Sequence, residues 1–288
     1  MKKQFATIVA ASIVLGATSM SFAGAYGEKG NPEEMPAPVA AAPEEPAPAG
    51  RLFSGYAGEA AVTNGIVGEI DSMYHNYDEF GYSADLVTTQ ARLSYGQDMW
   101  EVGAELPFIS IEDSNVDNSQ LGNLNLYGKV LPIRTDLITA GGGLQVSAPT
   151  SNSLFDGGDS FNWIANEWTP TDEWGFTPFL TAGTAVSGVN LRANIGYQVW
   201  DTGTNTFDNV TYNIGATYTV CSPVSLRTEI VGRHYVNGPE TDPVSLVPGL
   251  DIKLPIEGAN VSLRPTGMVG LADAPEWGLG LGVAVSQN

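Results

Sequence analysis

The stretch that decides the fold is 189-VNLRANIGYQVWDTGTNTFDNVTYNIGATYTV-220. In its first part Val189, Leu191, Ala193, Ile195, Tyr197 and Val199 alternate with Asn190, Arg192, Asn194, Gly196 and Gln198. In its last part Val210, Tyr212, Ile214, Ala216, Tyr218 and Val220 alternate with Thr211, Asn213, Gly215, Thr217 and Thr219. A strand turns successive side chains to opposite faces, so each part has one apolar and one polar face. Strands of soluble sandwiches usually run about 5–6 residues. Tilted strands of about 9–11 residues with this two-residue period are what a closed barrel needs to cross a bilayer.

The same period recurs on both sides of this hairpin. Val87 to Tyr95, Trp100 to Phe108, Leu124 to Val130 and Ile138 to Val146 precede it. Val224 to Ile230, Val244 to Leu254, Val261 to Leu271 and Trp277 to Val285 follow it. In the segment from Gly175 to Val186, Phe179 breaks the phase shared by Phe176, Leu180, Ala182 and Val186. Short connections are expected at Gly96–Asp98, Pro132–Thr135, Ser187–Gly188, Cys221–Pro223 and Pro255–Ala259. They alternate with longer ones at Ser110–Gln120, Pro149–Trp174, Asp201–Asp208 and Asn237–Asp242; Ala272–Pro275 holds a long-loop place but is short. Short turns on one side and long loops on the other mark outer-membrane barrels, with the turns periplasmic. This gives eleven strands between Ser83 and Gln287. Bacterial barrels have even strand numbers, so a twelfth is expected, and Leu52–Ile66 is the stretch left for it. Pro178, Pro248 and Pro265 should mark bulges or strand ends. The fold class is thus all-β: a transmembrane, antiparallel, up-and-down barrel of about twelve strands, of the Gram-negative outer-membrane type.

The N-terminus fits export. Met1-Lys2-Lys3, an apolar run from Phe5 to Leu15 and Ser21-Phe22-Ala23 predict a signal peptide over 1–23. Residues 24–50 are rich in Pro, Ala and Glu, cannot build a core, and read as a solvated periplasmic linker before a barrel over 51–288. The formal charge is −20, and loss of Lys2 and Lys3 would make it more negative still. Such acidity argues against nucleic acid as a partner. The expected partners are outer-membrane lipid, a small-molecule solute and the barrel-assembly machinery. One cysteine, Cys221, allows neither an internal disulfide nor a thiolate cluster.

The polar faces carry the candidate site. By phase they hold Arg92, Lys129, Arg192, Arg227, Arg233, Lys253 and Arg264, with Glu101, Glu105, Glu229 and Asp251. Charges inside a barrel pair across it or line a water path. Eight strands fill their interior with side chains and 16–18 leave an aqueous channel, so about twelve admits a salt-bridged plug or a narrow pore. The smaller number of acids predicts a net positive interior and weak anion preference.

Leu121 to Lys129, LGNLNLYGK, is similar to the Gly-Asp-Leu-x-Leu-x-x-Lys strand of the outer-membrane proteins labelled for the MetA pathway of phenol degradation. Ala148-Pro149-Thr150 stands where that family has Pro-Thr-Gly, and Pro248-Gly249-Leu250 matches its later Pro-Gly-Leu strand. The resemblance runs from about Ser83 to Val285 and differs at Asn123, Ser151 and the non-aromatic C-terminus. It implies a channel for small, often aromatic, compounds.

Neither catalysis nor a cofactor is indicated. His75 sits in a polar context read as a loop. His234 falls on the lipid face near the outer surface, where its neighbours Val210, Tyr212, Val244 and Leu246 include no serine for a Ser–His pair. The acidic run Glu112 to Asn118 lacks the glycine and closing glutamate of a calcium loop. The leading reading is a passive channel. A closed structural or surface-interaction barrel is the alternative, and a lipid-modifying enzyme comes third.

Overall fold

The computed structural model describes residues 60–79, 82–113, 117–150, 174–201, 206–237, 242–256 and 259–287. The expected signal peptide and linker lie outside these residues. Contacts divide the chain into Met1–Pro48 and Ala49–Asn288, and every described residue belongs to the second unit.

Thirteen strands follow in order: β1 Gly65–Glu79, β2 Tyr82–Gln97, β3 Trp100–Asp113, β4 Asp117–Leu121, β5 Leu124–Arg134, β6 Thr139–Ala148 and β7 Trp174–Val186. Then come β8 Val189–Asp201, β9 Thr206–Cys221, β10 Val224–Asn237, β11 Val244–Leu254, β12 Ala259–Ala272 and β13 Trp277–Gln287. Each pairs antiparallel with its chain neighbours, except that β4 and β5 both pair with β3 and together make one stave. The last strand pairs with the first, from Val67↔Ser286 to Asn76↔Trp277. The result is a closed, twelve-stave, antiparallel barrel.

The twelfth strand is not where the sequence placed it. It begins at Gly65, and Ala60 to Asn64 form no strand. In β1 the side chains of Val67, Glu69, Asp71, Met73 and His75 are buried while Ile66 and Ile70 are exposed. Two acids and a histidine on the inner face hide the alternation in a hydropathy reading. His75 is therefore no loop residue: it is fully buried, with Nε2 3.2 Å from Thr88 Oγ1.

β13 explains how these side chains fit. Its inner positions opposite His75, Met73 and Asp71 are Gly278, Gly280 and Gly282. A Cβ on Gly282 would stand 1.8 Å from Asp71 Oδ1, and one on Gly280 3.2 Å from Met73 Cβ. The bare strand lets the side chains of its neighbour lie across it. Phe179 follows the same rule: it is buried beside Tyr127, and a Cβ on Gly143 would meet its ring at 2.5 Å. Its apparent break in phase is an inward aromatic between the outward Phe176 and Leu180.

The outer face is apolar. Leu180 is 67% exposed and Leu279 64%, which in a barrel of this kind is lipid contact. Tyr95–Trp100 and Tyr74–Trp277 stack edge-on or tilted near opposite ends, as aromatic girdles do. The expected loop Ser110–Gln120 is largely strand, since β3 reaches Asp113 and β4 starts at Asp117. The prolines produce no register shift; Thr177, Pro178, Pro248 and Pro265 lack ladder partners on one side instead.

Hairpin order puts Asp136 and Glu276 at opposite ends. A thiol-reactive, membrane-impermeant dye should label Glu276→Cys on intact cells and Asp136→Cys only after the outer membrane is permeabilised. The reverse would invert the barrel.

Candidate functional site

The inner wall is polar because its residues come from the polar half of each alternating strand. Three groups of charges form on it.

The first spans the closing seam. Arg92 on β2 sets Nη1 3.0 Å from Asp71 Oδ2 and 3.8 Å from Glu69 Oε2, and Nε 3.5 Å from Glu105 Oε2. It also donates to Gln90. Arg264 on β12 donates from Nη1 and Nη2 to Glu69 Oε1 at 3.2 and 3.1 Å, and its Nε lies 3.7 Å from Asp251 Oδ2. Arginine's planar fork suits such shared pairing. The belt runs over the glycines of β13, so two strands with long side chains reach each other across one with none.

The second group lies near the short-turn end. Glu101 is 1% exposed. Its Oε1 accepts from Tyr127 Oη at 2.7 Å and lies 3.5 Å from Lys129 Nζ. Its Oε2 accepts from Thr63 N at 2.8 Å and Thr63 Oγ1 at 3.1 Å. This carboxylate holds the segment that enters β1. Ala60 and Thr63 are buried. A Cβ on Gly96 would meet Thr63 O at 2.2 Å, and one on Gly183 would meet Ala60 Cβ at 3.0 Å. The segment therefore lies against β2, β3 and β7 inside that mouth. Gly65, at φ +88°, turns it into β1 with a backbone conformation glycine adopts freely.

The third group is on β9 to β12. Glu229 Oε2 accepts from Asn213 Nδ2 at 3.0 Å. Arg227 Nη2 donates to Thr266 Oγ1 at 2.9 Å, and Arg233 Nη1 to Tyr235 Oη at 3.3 Å.

The structure thus joins Arg92, Glu105, Asp251 and Arg264, and separately Glu101 with Lys129. Arg227, Glu229 and Arg233 share a strand. Arg192 is half-buried on β8, and Lys253 is exposed at the short-turn end of β11, apart from the rest. Glu69, Asp71, Thr63 and Tyr127 were missed. The two-residue phase of Gly65–Glu79 could have found the first two. With them, Glu69, Asp71, Glu101, Glu105, Glu229 and Asp251 face Arg92, Lys129, Arg192, Arg227, Arg233 and Arg264. Among the described residues the interior is balanced, and the expected net positive charge loses its basis.

His234 Nδ1 is 2.9 Å from both Asp242 oxygens at an exposed rim, and Asp242 N donates to Asp273 Oδ2 at 3.2 Å. Ser245 is buried on the inner face, away from this pair. The side chains of residues 111–118 lie outside those described.

No family model matches the chain, and no curated protein matches it. Solved structures do. An outer membrane channel from Pseudomonas putida F1 aligns with TM-score 0.59 at 11% identity, covering 78% of this chain and 97% of that one. The NanC porin aligns with TM-score 0.51 at 11% identity over 76% of this chain and 99% of its own. The translocator domain of the autotransporter NalP from Neisseria meningitidis aligns with TM-score 0.50 at 9% identity over 77% and 87%. What is shared at such identities is the outer-membrane barrel fold.

Proposed function

We propose that the chain is a passive outer-membrane channel for small solutes. The observation that carries this is the division of faces: charged and amide side chains on the inner wall of a closed barrel, apolar ones outside. Two of the solved barrels that share the fold are named as a channel and a porin. Aromatic compounds are the solute class that the sequence resemblance implies; the paired interior gives no ground for an anion filter. Export, the periplasmic leader and assembly by the cellular machinery belong to the same reading. No step in it asks for catalysis or a cofactor.

The contacts of Ala60 to Thr63 make this segment a strap that narrows one mouth. Thr63→Pro removes both donors to Glu101, since proline has neither the N–H nor the hydroxyl. Single-channel conductance in planar bilayers should rise in this variant over wild type. The alternative, a closed structural barrel, draws on the same buried pairs; absence of conductance in both proteins would establish it.

A further inference from the structure

The β11–β12 ladder is the most interrupted in the wall. Recorded partners are Leu246↔Val269, Gly249↔Thr266 and Ile252↔Leu263, with nothing between them at Val247, Pro248, Leu250 or Asp251. The register does not slip across these gaps, so bonds are missing while the strands stay aligned. The cause is chemical. Pro248 on one strand and Pro265 on the other have no N–H to give. The two prolines are only a few rungs apart, and β11 is fully paired to β10 from Val224↔Ile252 to Gly232↔Val244. β12 is likewise paired to β13 through Pro265↔Leu281. In β11 and β12 the deficit is confined to the seam between them, and the lone Pro178 leaves a smaller one in β7–β8.

The seam is thin as well. Gly249 faces inward and Gly267 outward, so each face is covered there only from neighbouring positions: Thr266 and Arg227 inside, Pro248 outside. On the inside it is tied by side chains instead of backbone: Arg227 reaches over Gly249 to Thr266 at 2.9 Å, and Arg264 Nε stands 3.7 Å from Asp251. A Cβ on Gly249 would meet Arg227 Nη2 and Thr266 Oγ1 at 3.3 Å, so a side chain there would crowd that tie.

Directly behind the gap the inner wall changes character. Met73, Val247 and Met268 are buried together, with Val231 packed against them. In an interior of charges and amides this is an apolar patch, and it includes two methionines, whose flexible thioethers fit varied apolar shapes. A packed apolar cluster, a ladder short of bonds and a lipid-facing exterior lie in one line.

We propose that the β11–β12 seam at Pro248 and Pro265 is a lateral outlet, through which a small apolar solute passes from the barrel interior into the bilayer by displacing the packed Met73–Val231–Val247–Met268 cluster. The proposal rests on the channel reading for the solute's entry, but it concerns a different exit. Opening parts strands that lack two ladder donors, one on either side of the Gly249↔Thr266 rung, and breaks the Arg227–Thr266 tie.

The test restores the missing donors. Pro248→Val with Pro265→Val supplies two N–H groups at lipid-facing strand positions that suit a β-branched residue. Two regained ladder bonds should lower the open fraction about tenfold. Cells carrying the full chain are mixed with N-phenyl-1-naphthylamine, whose fluorescence rises as it enters membrane hydrocarbon. Conductance of the same proteins is recorded in planar bilayers. Wild type should speed dye entry over vector-only cells, and the double variant should lose most of that gain with conductance unchanged. Should the variant misfold, Leu246→Cys with Val269→Cys brackets the gap at a recorded pair, and oxidation should slow dye entry reversibly on reduction. Dye entry no faster than with vector alone, or equal in wild type, valine variant and oxidised cysteine variant, overturns the outlet. Dye entry that responds to these changes in a protein with no conductance keeps the outlet and overturns the axial channel.

Discussion

Ile195→Arg is expected to cripple assembly, while Asn194→Arg, one residue away, leaves a folded barrel. Ile195 is 51% exposed on the outer face and Asn194 is buried on the inner one. An arginine near the bilayer midplane on a barrel's outer face costs about 2–4 kcal/mol, close to the cost of a large core defect. At Asn194 the guanidinium meets a polar wall and needs only room. Ile214, 58% exposed on the neighbouring strand, should behave as Ile195 does. Heat-modifiable gel mobility reports the folded fraction. Equal loss at 194 and 195 would mean that the two faces are not distinguished by lipid.

Arg264→Met should be the most damaging change on the inner wall. It strips Glu69 of a two-pronged donor and Asp251 of its near cation, and the carboxylates stay behind, Glu69 buried and Asp251 half-buried. Removing one partner of a buried ion pair costs about 3–5 kcal/mol because the other charge is left uncompensated. Glu69→Gln in the same chain should recover part of the loss, since a neutral amide needs no cation. Urea midpoints of the refolded proteins measure both. A loss below about 1 kcal/mol would mean that water replaces the arginine, as at exposed pairs, and that the belt is wet.

The barrel was legible because its lipid-facing code is strict: in β8 and β9 every second residue had to be apolar. The inner code is loose, and the misreadings came from there. In β1, Glu69, Asp71 and His75 face inward beside small or polar outward residues such as Gly68 and Ser72, so the hydropathy pattern fades although the geometry holds. Phe179 looked out of phase because apolar was equated with outward. Burial of β10 and β12 charges followed from phase alone, but their pairing did not, since Arg264 meets Glu69 through a register that only closure of the ring defines. The strap at Ala60–Thr63 left no signal, because its contacts are made by backbone, one hydroxyl and small apolar groups set against glycines.

That closing ladder also sets the order of events when the chain folds. Its two strands lie at opposite ends of the described sequence, Val67 against Ser286. Contacts so distant along a chain form late, after nearer hairpins have lowered the entropy of bringing the ends together. Until then β1 and β13 are bare edges, and Glu69 has Arg92 but not Arg264. The nascent sheet is thus a curved ribbon with an acidic rim at one side and a glycine-rich rim at the other. Charge on the first discourages edge-to-edge stacking with other copies, and β13 carries none. The rim most open to mispairing is therefore the last one made, exposed for the shortest time.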